Sequence, residues 1–340
     1  MSNMKIIPLL NICIILLIAL SPLNAQVIDN AYRRGYLRLE IMLEHESFLD
    51  FKKAVFTVEN AWYNEELSYE VFINELKFYS DIGKYLLSKE AITYNYPDYS
   101  SVLSHASLFK LMTDTIAIQI NDTTISYHLP FQYNHEDYSG EKDWANMFVT
   151  TLMATRKGNC HSLPLLYKLI AEEMGEKAWL ALAPNHLYIK LHNEANGWYN
   201  TELTSGIFPT DAWIKSSGYI HLNAIKNGIY MDTLSQKETI ALCMVDLALG
   251  YQRKYPDSYD SGFVLKCCDK ALEYFPHYIN GLLLKAETMH RIYKSGQEKD
   301  PKELEGIEKL YAHVHQLGYR KMPKEMYLHW LESMGRNSEK

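Results

Sequence analysis

From Ala178 to Leu203 the chain passes through three short stretches, "AWLALA", "HLYIKL" and "GWYNTEL", joined by short polar turns. The first reads as a buried strand by its composition. The second alternates, and the third follows a Gly-containing turn. Parallel neighbours need a connection of about a dozen residues, so these strands are expected to be antiparallel. A helical pattern, "SLPLLYKLIAEEMG", comes just before them. Its Leu163, Leu166, Tyr167, Ile170, Ala171 and Met174 share one face, and Gly175 fits a C-terminal cap. Pro164 falls in or near the first turn, where proline is tolerated. With a further helix expected from Trp144 to Thr155, the block from Lys142 to Thr204 reads as helix, turn, helix, then antiparallel strands. That is an α+β unit.

Helical periodicity flanks this unit on both sides. From Asp29 to Leu87 two stripes recur at three- and four-residue spacing. One comprises Phe48, Phe51, Ala54, Val55 and Val58, the other Val71, Phe72, Leu76, Tyr79 and Ile82. "TIAIQI" and "TISYHL" around "NDT" predict a β-hairpin beginning near Thr115. The last hundred residues return to helix as four successive antiparallel segments. Within them "CCDKALEYFPHYINGLLLKAETM" resembles a tetratricopeptide repeat, with Ala271 and Pro276 at the repeat's Ala and Pro. A generic helical hairpin accounts for the same pattern. The expected organisation is a signal peptide over 1–25, an N-terminal helical region over 26–112, a core over 113–230 and a helical, tetratricopeptide-like region over 231–340.

The first of these segments bears on compartment. Lys5 is a positive n-region, Ile6 to Leu20 is a 15-residue, mostly apolar h-region, and Ala25 offers a cleavage site before Gln26. The apolar run is short of the roughly 20 residues that span a bilayer, so an exported chain, periplasmic or secreted, is expected, with no stable membrane anchor. A formal charge of −7 with no basic block argues against nucleic acid as a partner. Cleavage would leave four of the five cysteines. Cys243, Cys267 and Cys268 sit in helical patterns, where a buried free thiol is the ordinary state. A bridge from Cys243 to Cys267 or Cys268 is the alternative.

Cys160 is different, because it follows the Gly158–Asn159 turn and precedes a helix. Orphan N–H groups and the helix dipole favour an anion there. A cysteine nucleophile also needs a base within reach and a third group to orient that base. His186 opens the second strand and Glu202 closes the third, so neighbouring antiparallel strands would set them on one face. His161 adds a further candidate metal ligand beside Cys160, His186 and Glu202. No closely spaced second pair accompanies them, so neither a metal nor another cofactor is expected. His313 and His315 face different directions on a helix and read as surface residues.

"GNCHSLPLLYKLIAEEMGEKAWLA" resembles the cysteine segment of the transglutaminase-like superfamily. "NHLYIKL" is similar to that family's histidine strand, and "GWYNTELT" to its Gly-Trp…Asp-Pro-Thr segment. The alignment sets Glu202 at the family's aspartate and Thr204 at its threonine. Glu202 in place of Asp, Leu203 in place of Pro, and Leu-Tyr after His186 are departures. The resemblance covers about sixty residues, from Trp144 to Thr204. It implies a papain-like core, with the nucleophile helix packed on a small antiparallel sheet, and a Cys160–His186–Glu202 triad for acyl transfer. The Cys160 backbone N–H would donate to the oxyanion, with Asn159, Gln132 and Trp144 as candidates for the second donor. The expected activity is amide or peptide hydrolysis on a peptide, protein or cell-wall amide. The alternative is an inert transglutaminase-like domain that holds a protein partner through its helical regions.

Overall fold

The computed structural model describes residues 31–89, 91–119, 121–323 and 325–326. The expected signal peptide lies outside these residues. Among the described residues no helix is long and apolar enough to cross a membrane.

The chain is mixed α+β, with small sheets set among helices. It opens with α1 (31–44), α2 (Phe51–Trp62), α3 (Tyr69–Leu87) and α4 (Tyr99–Thr113). Asp50 and Ser68 cap α2 and α3 by accepting the Lys53 and Val71 N–H groups. The Asp50 cap starts α2 at Phe51, three residues after Phe48, so Phe48 lies in a separate 3₁₀ turn and is exposed. Val71 also leaves its stripe and faces solvent, one position off the face made by Phe72, Leu76, Tyr79 and Ile82. The hairpin forms as β1 (Ile116–Gln119) and β2 (Ile125–His128), paired antiparallel.

Next come β3 (Gln132–Tyr133), a 3₁₀ turn at Trp144–Met147, α5 (Val149–Thr155), β4 (Lys157–Gly158) and α6 (Ser162–Glu173). The single helix expected from Trp144 to Thr155 is therefore two pieces. Phe148 is extended between them (φ −93°, ψ 144°). The Glu59 carboxylate of α2 takes the first α5 amides, Val149 N–H at 2.7 Å and Thr150 N–H at 2.9 Å. A helix start capped from outside the segment leaves no mark in the local pattern.

Strands β5 (Trp179–Ala183), β6 (His186–Asn193) and β7 (Gly197–Thr201) form an antiparallel sheet in that order. Helix α6 packs on β5 and β6 and on α3, α4 and α5. Burial from Ser162 through Ala171 is therefore complete around the helix, beyond the single apolar face read from the sequence. Leu163, Leu166, Tyr167, Leu169 and Ile170 are each at most 1% exposed. Burying side chains of this kind contributes about 1.5–3 kcal/mol apiece. Gly175 ends the helix at φ 84°, and the Glu176 N–H reaches back to the Ala171 carbonyl at 2.8 Å.

The chain closes with α7 (Asp211–Ser217), α8 (Leu222–Lys226), α9 (Gln236–Lys254), α10 (Ser261–Tyr274), α11 (Ile279–Ser295) and α12 (Pro301–Gln316). The last four pack in succession, and α9 also packs against α2. A single apolar core runs from Tyr32 to Leu317 as a result. Cys243, Cys267 and Cys268 are buried free thiols within it. His313 and His315 are exposed on α12.

Candidate active site

Three short elements build the turn that carries Cys160. Arg156 ends α5 in the left-handed region (φ 59°), and its guanidinium donates to the Leu129 carbonyl at 2.7 Å. β4 then pairs with β3 in parallel. Gly158 is needed for packing, because a Cβ there would meet Ser162 Oγ at 2.6 Å and Leu152 Cδ1 at 2.8 Å. Asn159 is fully buried. Its Oδ1 accepts the His161 and Ser162 N–H groups, both at 3.0 Å, while its own N–H donates to Ser162 Oγ at 3.1 Å. The start of α6 is thus capped by the residue before Cys160. Cys160 itself lies two positions ahead of the first α6 residue, half-buried.

The cap also removes one candidate oxyanion donor. Asn159 Nδ2 is committed to the Asn146 carbonyl (3.3 Å) and Met147 Sδ (2.8 Å). Gln132 is exposed on β3. The Trp144 indole N–H is buried and packs on Gly250 of α9.

The β5–β6 hairpin brings the histidine. Its two-residue turn is Pro184–Asn185, with Asn185 at φ 55°. Proline followed by a residue at positive φ is the combination a type II turn calls for. The turn holds the Asn185 carbonyl 3.7 Å from Cys160 Sγ. His186 follows directly and is buried, with Tyr188 stacked on it at 6.3 Å between ring centroids.

Glu202 reaches the same ring from the next strand. The register pairs Ile189 with Thr201. Continued by one residue it sets Glu202 opposite Tyr188, diagonal to His186 and on the same face of the sheet. Diagonal neighbours are within reach of a long side chain, and Glu202 Oε2 lies 2.5 Å from His186 Nε2. Glu202 stands one position beyond β7, where it bridges to Ile207. Its other oxygen accepts the Thr204 N–H at 2.9 Å and the Thr204 hydroxyl at 2.8 Å. Both carboxylate oxygens are thereby engaged.

With Nε2 turned to Glu202, the His186 ring is also acted on by the nearby Cys160 side chain, which favours its charged form. Burial works against a charge on the ring. The Glu202 carboxylate and the Cys160 contact outweigh it, and His186 is raised to about 10. Burial likewise opposes ionisation of Glu202. The His186 charge and the Thr204 donors prevail and hold its carboxyl below the usual range. Cys160, His186 and Glu202 are therefore brought together, with an imidazolium–carboxylate pair beside the sulfur.

Sequence reasoning set Thr204 in this region without a role, and its role is to fix the Glu202 carboxylate. It missed Asp246, which meets the His161 ring, and Glu59, which caps α5. Among the described residues no cluster of His, Cys, Asp and Glu has the geometry to hold a metal ion. No family model matches this chain, and no curated protein or solved structure matches it either.

Proposed function

We propose that this chain is a cysteine-dependent acyl-transfer enzyme of transglutaminase-like kind, acting as an amide or peptide hydrolase. The observation that carries the reading is the buried His186 ring, held by Glu202 at 2.5 Å and close enough to Cys160 for that side chain to favour its charge. A structural histidine gains nothing from a half-exposed thiol as its second partner. A base that exchanges a proton with a nucleophile requires one. The order of the three segments, and their likeness to the transglutaminase-like cysteine, histidine and acid segments, supports the same reading.

In this scheme the thiol proton of Cys160 already resides on His186, the imidazolium, and the Cys160 sulfur bonds as a thiolate to the carbonyl carbon of an amide. The backbone N–H of Cys160, which has no acceptor among the described residues, donates to the oxyanion. Collapse breaks the C–N bond, and His186 returns the proton to the departing amine. His186 then takes a proton from water, which attacks the thioester and releases a carboxylate. Glu202 keeps the ring oriented and compensates its charge throughout. The substrate class is a peptide, protein or cell-wall amide. The protein is read as exported, with its C-terminal helices available to a protein partner.

Alkylation of Cys160 by iodoacetamide at pH 7, followed by intact-protein mass spectrometry, tests the pairing. His186→Ala is expected to slow it by on the order of tenfold, because the group that takes up the thiol proton is gone. An unchanged rate in a folded His186→Ala protein would remove the base from the scheme.

A further inference from the structure

His161 follows the nucleophile, but its ring turns inward. Nδ1 donates to the Met147 carbonyl at 3.1 Å, and Nε2 lies 3.0 Å from Asp246 Oδ2 on α9. A carbonyl oxygen only accepts, so Nδ1 carries a hydrogen. Nε2 then faces an ionised carboxylate only as a second N–H, which makes the ring an imidazolium. Burial opposes this charge. Asp246, the Met147 carbonyl and Cys160 outweigh it and raise His161 to about 9.

The ring lines a cavity of about 20 Å³ together with Glu59, Phe148, Leu165, Cys243 and Asp246. The other titratable groups there are poor counter-charges. Burial pushes Glu59 up to about 7, even with the Thr150 and Val149 N–H groups donating to it, and pushes the Cys243 thiol well up. Asp246 is left as the partner in contact with the ring.

We infer that His161 and Asp246 form a second, inward-facing pair that positions Cys160, and that Asp246 thereby makes helix α9 part of the acyl-transfer site. The inference rests on the reading of Cys160 as nucleophile. Its physical basis is anchorage on both sides of the sulfur-bearing residue. Asn159 Oδ1 grips the turn before Cys160, and the His161 ring is tied at both nitrogens after it. Rotation of the Cys160 backbone would break these bonds together. The imidazolium also sets a part-buried positive charge one residue from the sulfur, where salt screens it less than at an open surface. A pair that merely stapled α9 to the core would affect stability alone.

The test uses the full chain and the Cys160 alkylation rate at pH 7, with melting curves recorded for each variant. Asp246→Asn is expected to react on the order of tenfold more slowly, within the cost of misplacing a reacting group by about an ångström. Asp246→Glu, which keeps the charge, recovers most of the rate. Equal rates for wild type and a folded Asp246→Asn protein overturn the inference. The two failures are separable. If His186→Ala slows alkylation and Asp246→Asn does not, only the positioning role falls. If neither slows it, His186 also falls from the scheme as base, and the proposed function with it. If Asp246→Asn does not fold, the unsubstituted chain carries the test. The ¹⁵N spectrum of its histidines at pH 8 should show both His161 ring nitrogens protonated, assigned by signal loss in His161→Gln. A neutral His161 at pH 8 overturns the inference.

Discussion

Glu202→Gln perturbs the buried His186 pair with almost no change in volume. The carboxylate accepts from His186 on one oxygen and from the Thr204 N–H and hydroxyl on the other. A carboxamide has one accepting oxygen, so its NH₂ must face a donor on one side or the other. The loss of one charge-assisted hydrogen bond costs about 1.5–3 kcal/mol. At pH 8 the variant sheds the His186 proton and this is nearly the whole penalty, about 2 kcal/mol. Lowering the pH adds to it. His186 in the native protein is raised to about 10, above the ~6.5 of an unfolded histidine. Its contribution to stability is therefore complete below ~6.5 and lost as pH rises from there through the folded value. Glu202, held low, contributes above the ordinary carboxylate range and loses that contribution as pH falls through its folded value. In the variant the Glu202 charge is gone, and burial, the largest influence on His186 and now opposed by the Cys160 contact without that charge, disfavours its charged form. Each pH unit descended from 8 to 6.5 thus widens the gap by about 1.4 kcal/mol. The expected penalty at pH 6.5 is about 4 kcal/mol, within the range for breaking a buried pair. Urea unfolding of both proteins at pH 6.5, 7.25 and 8, with unchanged m-values, reads this directly. A difference that stays flat across these pH values would refute the reasoning, because His186 would then not hold the extra proton.

Two further substitutions probe the nucleophile turn. Asn159→Ala leaves the His161 and Ser162 N–H groups without their buried acceptor and should cost about 2–3 kcal/mol by urea unfolding, above an ordinary cap loss. A cost under about 0.5 kcal/mol would show that the cap does not hold the turn. Gly158→Ala forces a methyl against Ser162 Oγ and Leu152. It should lower stability by about 1–3 kcal/mol and slow Cys160 alkylation, whereas wild-type behaviour would mean the turn shifts freely.

What the sequence made legible follows its local periods. The α6 stripe, the Gly175 cap, the β1–β2 hairpin, the three sheet strands and the four terminal helices are each written in contiguous residues. The meeting of His186 with Glu202 was legible too, because short antiparallel connections leave few registers. The remainder depends on partners far along the chain. Glu59 caps a helix 90 residues away and Asp246 meets His161 across 85, so the break at Phe148 and the inward His161 had no local signal. Phe48 was misassigned to its stripe because the Asp50 cap, a single side-chain bond, overrides the period. The burial of Leu165 and Leu169 arises because α6 is covered on several sides, which one helix's pattern does not encode. Asn159 was weighed as a donor to the oxyanion, whereas the turn spends its carbonyl and amide on structure.

The central claim is that Cys160 carries an acyl group during turnover. Rapid acid quench of the full chain with a peptide library and with cell-wall amide fragments, read by mass spectrometry of the intact protein and its Cys160 peptide, measures this most directly. An acyl adduct is expected on Cys160, accumulating in His186→Ala far less than in wild type and absent from Cys160→Ala. An adduct that persists in Cys160→Ala, or turnover of an amide in that variant at the wild-type rate, would contradict it.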